Sequence, residues 1–322
     1  MILQEAKKMK AGPFDTQSRL RKQALRITTL LAEFILVFGF LAGCGNGGDG
    51  PHTSGVPTHP SSAATATPTI SPTPTQQASP WKLVWNDEFD GPAGTPPDSS
   101  KWTPSVGGGG WGNQQLDYDT NNQNAYQDGQ GNLVIEARKG NPSNYQCWYG
   151  RCLYTSGQIT TDKHFSFTYG RIEARIKVPA GQGLWSAFWL LGDNCATVGW
   201  PTCGEIDIME NIGSEANLIY GTVHGPGYFT GNDQLKHGTF PDDFHVFALQ
   251  WDPSHLRFFV DGINYATMTR ASLANQTQWV YNHPFHIIFN VATGGVWPGT
   301  PNASTIFPQK MSISYVRVYT HT

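Results

Sequence analysis

Three carboxylates fall within six residues in the segment Gly204-Glu205-Ile206-Asp207-Ile208-Met209-Glu210-Asn211. Side chains alternate faces along a β-strand, so Glu205 and Asp207 share one face while Ile206 and Ile208 point to the other. Strict alternation would send Glu210 to the apolar face, and a β-bulge near Met209 would return it to the acidic one. Three neighbouring carboxyls cannot all ionise cheaply, so at least one pKa must rise. Under that condition one carboxylate can attack as a nucleophile while another delivers a proton. Two other uses compete. Closely spaced hard oxygens suit a cation such as calcium, but no Asp/Asn/Gly-rich loop accompanies them here. A plain solvated acidic edge would not be interleaved with Ile206, Ile208 and Met209.

Such an acidic strip has to be carried by a sheet. From Trp81 onward, short apolar-alternating runs (132–138, 169–178, 245–251, 256–260 and 284–291) are separated by Gly, Pro, Asn and Asp turns. No long helical period appears, and Asp261-Gly262 after Phe258-Phe259-Val260 reads as a hairpin turn. The pattern over residues 81–322 predicts one all-β sandwich or barrel, with no internal repeat and no appended carbohydrate-binding module. Trp185 and Trp189 are four apart on one predicted strand and therefore share a face, either groove or core.

The 322-residue chain carries eleven Trp, 12% aromatic residues and only 14% charged ones. Flat apolar faces with few charges suit the stacking of an uncharged sugar polymer, although most aromatics in a β protein fill its core. From Trp81 onward 14 Lys/Arg stand against 20 Asp/Glu, a net charge of −6. No basic patch is present for a nucleic acid, and an anionic polysaccharide would be repelled.

Arg19, Arg21, Lys22 and Arg26 precede an apolar run from Ile27 to Gly43 that ends Leu41-Ala42-Gly43-Cys44. The charged, apolar and small-residue regions are those of a secretory signal, and the final four residues resemble a bacterial lipobox with Cys44 as the acylated residue. A plain membrane anchor is the alternative, and a run of roughly 17 residues containing Glu33 is at the short limit for spanning. The expected organisation is a lipoprotein-type signal segment over 1–44, a Gly/Pro/Thr/Ser-rich disordered tether over 45–80 and a folded domain over 81–322. The expected location is therefore the cell envelope or cell surface, with membrane contact only through the lipid. With Cys44 assigned, four cysteines remain, and export favours disulfides. Proximity favours Cys147–Cys152 and Cys195–Cys203, the second pinning the loop that leads into Glu205, while the spacing leaves other pairings open.

The acidic segment resembles the signature of glycoside hydrolase family 16, in the bulged form of bacterial laminarinases (endo-β-1,3-glucanases). The resemblance runs from residue 81 to residue 319 and includes Asp87-Glu88-Phe89-Asp90-Gly91, Gly110-Trp111-Gly112-Asn113 and Gly170-Arg171-Ile172-Glu173-Ala174-Arg175. It continues through Gly183-Leu184-Trp185-Ser186-Ala187-Phe188-Trp189, Thr222-Val223-His224-Gly225 and Tyr315-Val316-Arg317-Val318-Tyr319. It implies a β-jelly-roll of two curved antiparallel sheets whose concave face is an open substrate groove.

The resemblance further implies a monomeric, retaining endo-β-1,3-glucanase acting on laminarin-like β-glucan, with no cofactor required for catalysis. Retaining enzymes hold their two carboxyls roughly 5–5.5 Å apart. Glu205 would be the nucleophile and Glu210 the general acid/base, with Asp207 between them setting the charge balance. Trp200 would stack on glucose beside the cleavage point, and Trp111 and Asn113 would lie on a substrate-facing loop. His224, on the next strand, would hydrogen-bond near Glu210, and Arg175 and Asn290 would donate to sugar hydroxyls.

Family members of this kind often carry a structural calcium. Its counterparts here are Glu88, the Gly131 backbone and, where the family has an acid, Ser314. The alternatives are a mixed-linkage β-1,3-1,4-glucanase, a transglycosylase and a non-catalytic β-glucan-binding lectin. Lectins of that kind lose one or both glutamates, whereas this chain keeps Glu205, Asp207 and Glu210.

Overall fold

The computed structural model describes residues 80–226, 228–234 and 238–322. The expected signal segment, its Cys44 and the linker up to residue 79 lie outside the described residues. Among the described residues no helix is long and apolar enough to cross a membrane.

Two large sheets dominate. The larger runs in spatial order β18 (Ile263–Thr269), β17 (His255–Val260), β16 (His245–Asp252), β11 (Gly170–Lys177), β20 (Gln309–His321), β5 (Leu133–Lys139), β8 (Tyr154–Ser156) and β3 (Asp117–Asp119). Beside that path, β1 (Trp81–Asp87) pairs with β20 and β4 (Ala125–Gln127) with β5. The second runs β15 (Tyr228–Gln234), β14 (Leu218–His224), β13 (Glu205–Ile212), β12 (Leu184–Gly192), β19 (Phe285–Thr293), β9 (Gln158–Thr160) and β2 (Thr103–Pro104), with β10 (Ser166–Phe167) on β19. A separate hairpin joins β6 (Gln146–Cys147) to β7 (Gly150–Arg151). The architecture is the expected β-jelly-roll sandwich of antiparallel sheets, with one departure: β3 and β8 pair in parallel.

Period-two alternation explains how the layers join. Along β11 the buried Ile172, Ala174 and Ile176 alternate with half-buried Arg171, Glu173, Arg175 and Lys177. The same alternation on β12 sends Phe188 and Leu190 inward, and β19 contributes Ile287, Phe289 and Val291. These residues meet Phe247, Leu249, Val316 and Val318 of the larger sheet in one hydrophobic core. Phe188 and Phe289 stack within it at 4.7 Å. The second sheet thereby turns its opposite face away from this core, with β13 between β14 and β12 in that sheet.

Local signals behaved as their chemistry requires. Asp261 and Gly262 have φ of +49° and +81° and close the β17–β18 hairpin, a left-handed pair that glycine adopts freely. Both sequence-near disulfides form, Cys147–Cys152 across the β6–β7 hairpin and Cys195–Cys203 in the loop between β12 and β13.

Candidate active site

The bulge expected near Met209 is present in β13. On the β12 side Phe188 pairs with Met209 and Trp189 with Asp207, leaving Ile208 as the extra residue. On the β14 side the register slips between Asp207 and Glu210. Ile208 and Met209 both point into the core, as the extra residue of the bulge allows. Glu205, Asp207 and Glu210 consequently all lie on the outward face of the second sheet.

Register decides their neighbours. Across β14, His224 stands opposite Glu205, Thr222 opposite Asp207 and Tyr220 opposite Glu210. His224 Nε2 is 3.3 Å from Asp207 Oδ2 and 3.8 Å from Glu205 Oε1. The expectation that His224 serves Glu210 is therefore corrected, because antiparallel pairing puts it at the other end of the strip. The group that serves Glu210 is Thr222, whose hydroxyl donates to Glu210 Oε2 at 2.8 Å. On the far side of Glu205, the Trp200 indole donates to Glu205 Oε2 at 3.0 Å, and its ring lies 5.7 Å from that of His224.

The three carboxyls differ in access and in charge environment. The Glu205 side chain keeps 20% of its surface exposed, against 6% for Asp207. Burial raises the pKa of all three. At Glu205 the neighbouring His224 and the Trp200 N–H oppose that rise. Asp207 goes well above the carboxylate range because the charge of Glu205 adds to burial. Glu210 is also pushed well up, by burial and then by Asp207, with Thr222 and His224 opposing. The geometry therefore offers one reachable carboxylate whose ionised form has partners, and one carboxyl biased toward holding a proton.

Of the expected sugar contacts, Trp185 and Trp189 sit on the groove side of β12. Both are half-buried, absent from the core, and share a face with the residues paired to the acids. Trp189 donates its indole N–H to Asn290 Oδ1 at 2.9 Å, so Asn290 positions that ring from β19. Trp200 is 60% exposed beside Glu205. Trp111 is exposed and Asn113 half-buried on the glycine-rich loop, and Asn113 O accepts from Val296 N at 3.0 Å.

Arg175 is a correction. It lies on β11, between β16 and β20 in the larger sheet, on the face opposite the core residues Ala174 and Ile176. Its guanidinium covers the Phe244 ring at 4.3 Å, on the far side of the sandwich from the acids.

Sequence reasoning missed Thr222, Tyr220 and Trp297. The Trp297 ring packs edge-on at 5.1 Å against both Trp185 and Tyr220, beside Glu210. Only the bare Trp-Pro-Gly turn around it hinted at a role, and nothing local tied that turn to β13 or β14.

Two metal possibilities can be weighed. Ligating atoms of Glu205, Asp207 and His224 lie within 4.8 Å of one another. Three side chains fall short of the about six to eight oxygens that calcium takes. At the expected calcium position, both Glu88 oxygens accept from Arg317, at 2.9 and 2.8 Å, and Asn86 also donates to Glu88 at 2.9 Å. With a guanidinium already neutralising Glu88 and Ser314 in place of an acid, these residues do not fit a calcium ion.

Residues 112–317 match the family described as glycosyl hydrolases family 16. A beta-glucanase of Rhodothermus marinus is 41% identical over 254 residues, covering 74% of this chain and 85% of that protein. The structure resembles the catalytic domain of an endo-1,3-beta-glucanase (laminarinase) from Thermotoga petrophila RKU-1, with a TM-score of 0.70 and 43% identity over 75% of this chain and 98% of that one. It also resembles an endo-beta-1,3-glucanase from Pyrococcus furiosus, with a TM-score of 0.69 and 45% identity over 75% and 95% of the two chains.

Proposed function

The chain belongs to glycosyl hydrolases family 16, and from that premise we propose that it is an endo-β-1,3-glucanase that cleaves internal bonds of laminarin-like glucans by double displacement. The observation that carries the reading is the bulged β13, which presents Glu205 and Glu210 to one groove while giving each a different partner.

In the first step a Glu205 oxygen attacks the anomeric carbon as the bond to the departing sugar breaks, and Glu210 passes its proton to the departing oxygen. In the second step Glu210 takes a proton from water, the water oxygen bonds to the same carbon, and Glu205 is released as a carboxylate. The Trp200 N–H fixes the attacking carboxylate and its exposed face is available to a pyranose ring. Asp207, buried between the two, is coupled to both: negative charge on Glu205 favours a proton on Asp207, and whenever Asp207 is ionised its charge favours a proton on Glu210.

Incubating residues 81–322 with laminarin and, in parallel, with barley mixed-linkage glucan tests this reading. Short oligosaccharides released chiefly from laminarin support it. Faster release from the mixed polymer would make the enzyme a β-1,3-1,4-glucanase, and binding without release would make it a lectin. The N-terminal pattern supports export, Cys44 acylation and a cell-surface domain on a 45–80 tether. Labelled palmitate incorporated into the full chain and lost in Cys44→Ala is the expected result. A single species at the monomer mass in solution is expected as well.

A further inference from the structure

Four of the eleven tryptophans are exposed: Trp111 at 40%, Trp148 at 50%, Trp200 at 60% and Trp297 at 43%. Trp200 meets Glu205 and Trp297 flanks the residues beside Glu210. Trp111 rides on the glycine-rich loop. Trp148 has no place in the mechanism and is not part of the core.

Its setting is built to hold an indole in the open. Trp148 is at the turn of the β6–β7 hairpin, which Cys147–Cys152 closes. Its backbone N–H donates to Gly108 O at 2.8 Å and its Nε1 donates to Gln115 O at 2.7 Å. Tyr149 packs edge-on against the ring at 5.4 Å. Gly110, at φ +78°, lets the indole lie against the loop backbone, since a Cβ there would come within 2.8 Å of Trp148 Cδ1. One edge of the ring is thus fixed by two segments and a disulfide, while half of its surface faces solvent. An indole held rigid with its N–H satisfied and a face uncovered has the form of a stacking platform.

A chain of contacts ties the loop that seats this platform to the acids. From Glu210 the path runs through Tyr220 and Trp185 to Trp297. The Trp297 loop bonds to the glycine-rich loop through Val296 N and Asn113 O, and that loop in turn carries Trp111 and seats Trp148. Resting on the glucanase reading above, we propose that Trp148 is a distal glucan-binding platform. It would stack on glucosyl residues of a long chain beyond those gripped at Trp111, and so favour polymers over short oligosaccharides.

The test compares kcat/KM on polymeric laminarin with kcat/KM on laminaritriose, for the wild type and for Trp148→Ala and Trp148→Phe. Stacking predicts that Trp148→Ala lowers the polymer-to-triose ratio about ten-fold, mostly through KM on the polymer. Trp148→Phe keeps a ring but loses the bond to Gln115, and should hold the ratio within about three-fold of wild type. An unchanged ratio in Trp148→Ala overturns the proposal, whether both activities fall together, as a mere clamp on the glycine-rich loop would cause, or neither changes. If Trp148→Ala does not fold, Cys147→Ser/Cys152→Ser replaces it; by freeing the hairpin it should lower the same ratio, and an unchanged ratio there is equally fatal. Wild-type turnover of laminarin is measured first, so failure of the glucanase reading is seen separately.

Discussion

On β13 three carboxyls face a groove; on β3, two residues apart, Asp117 and Asp119 lie 0% and 2% exposed beneath the glycine-rich loop. Both clusters have raised pKa values with burial as the largest cause. Their partners differ. Asp117 accepts the backbone N–H of Thr293 at 2.8 Å, while Asp119, its backbone paired with Gly107, has the charge of Asp117 beside it. Neither carboxyl opens to solvent. The β13 acids instead face donors that favour an ionised Glu205, together with a surface a sugar can occupy. A perturbed carboxyl therefore marks burial; what it faces decides between chemistry and scaffolding.

The contrast breaks most sharply at the two glutamates. Glu205→Gln and Glu210→Gln should each lower kcat on laminarin by at least about 10³-fold with an unchanged circular dichroism spectrum. Asp119→Asn should cost less than about ten-fold. Equal losses in all three would erase the distinction. Asp207→Asn comes next, with a loss of about 10²-fold and a displaced kcat/KM pH profile, because it couples the two acids without touching the bond that breaks.

Stability should move in the opposite direction. The Asp117 carboxyl is pushed from 3.8 up to about 7, so the neutral form is the one the fold favours. Its contribution is full below the unfolded value and is lost as pH rises toward 7. Asp117→Asn, which keeps an acceptor for Thr293, should therefore raise the unfolding midpoint at pH 8 by an amount worth on the order of a few kcal/mol, and by almost nothing at pH 3.5. Calorimetry at the two pH values checks the sign. The smallest effect belongs to Thr222→Val. Without its hydroxyl the Glu210 pKa rises further, so the alkaline limb of kcat/KM should move to higher pH.

The acidic strip was legible because strand alternation and one bulge are local properties of eight residues. The hairpin at Asp261-Gly262 and both disulfides were legible for the same reason. Arg175 was not: alternation places Arg171, Glu173 and Arg175 on one face, but only the distant pairing of β11 with β16 and β20 says which sheet owns that face. His224 failed on register, which depends on the bulge as much as on its own strand. Thr222 and Trp297 are brought to the acids by tertiary pairing that leaves no local trace. Asp117 and Asp119 lie outside what the sequence pattern singled out: the structure buries both acids and leaves Leu116 and Tyr118 half-buried, an arrangement that only tertiary packing decides.

The bulge at Ile208 also sets a parity rule. With it, the second glutamate must stand five residues after the first; in a regular strand it would have to stand four after. Deleting one residue at Ile208–Met209 would remove the bulge and set the two glutamates four apart, the spacing at which a regular strand also turns both to the groove. The arrangement of acids in space is thus reached by two spacings in sequence, and a search for either fixed interval alone would pass over enzymes built on the other.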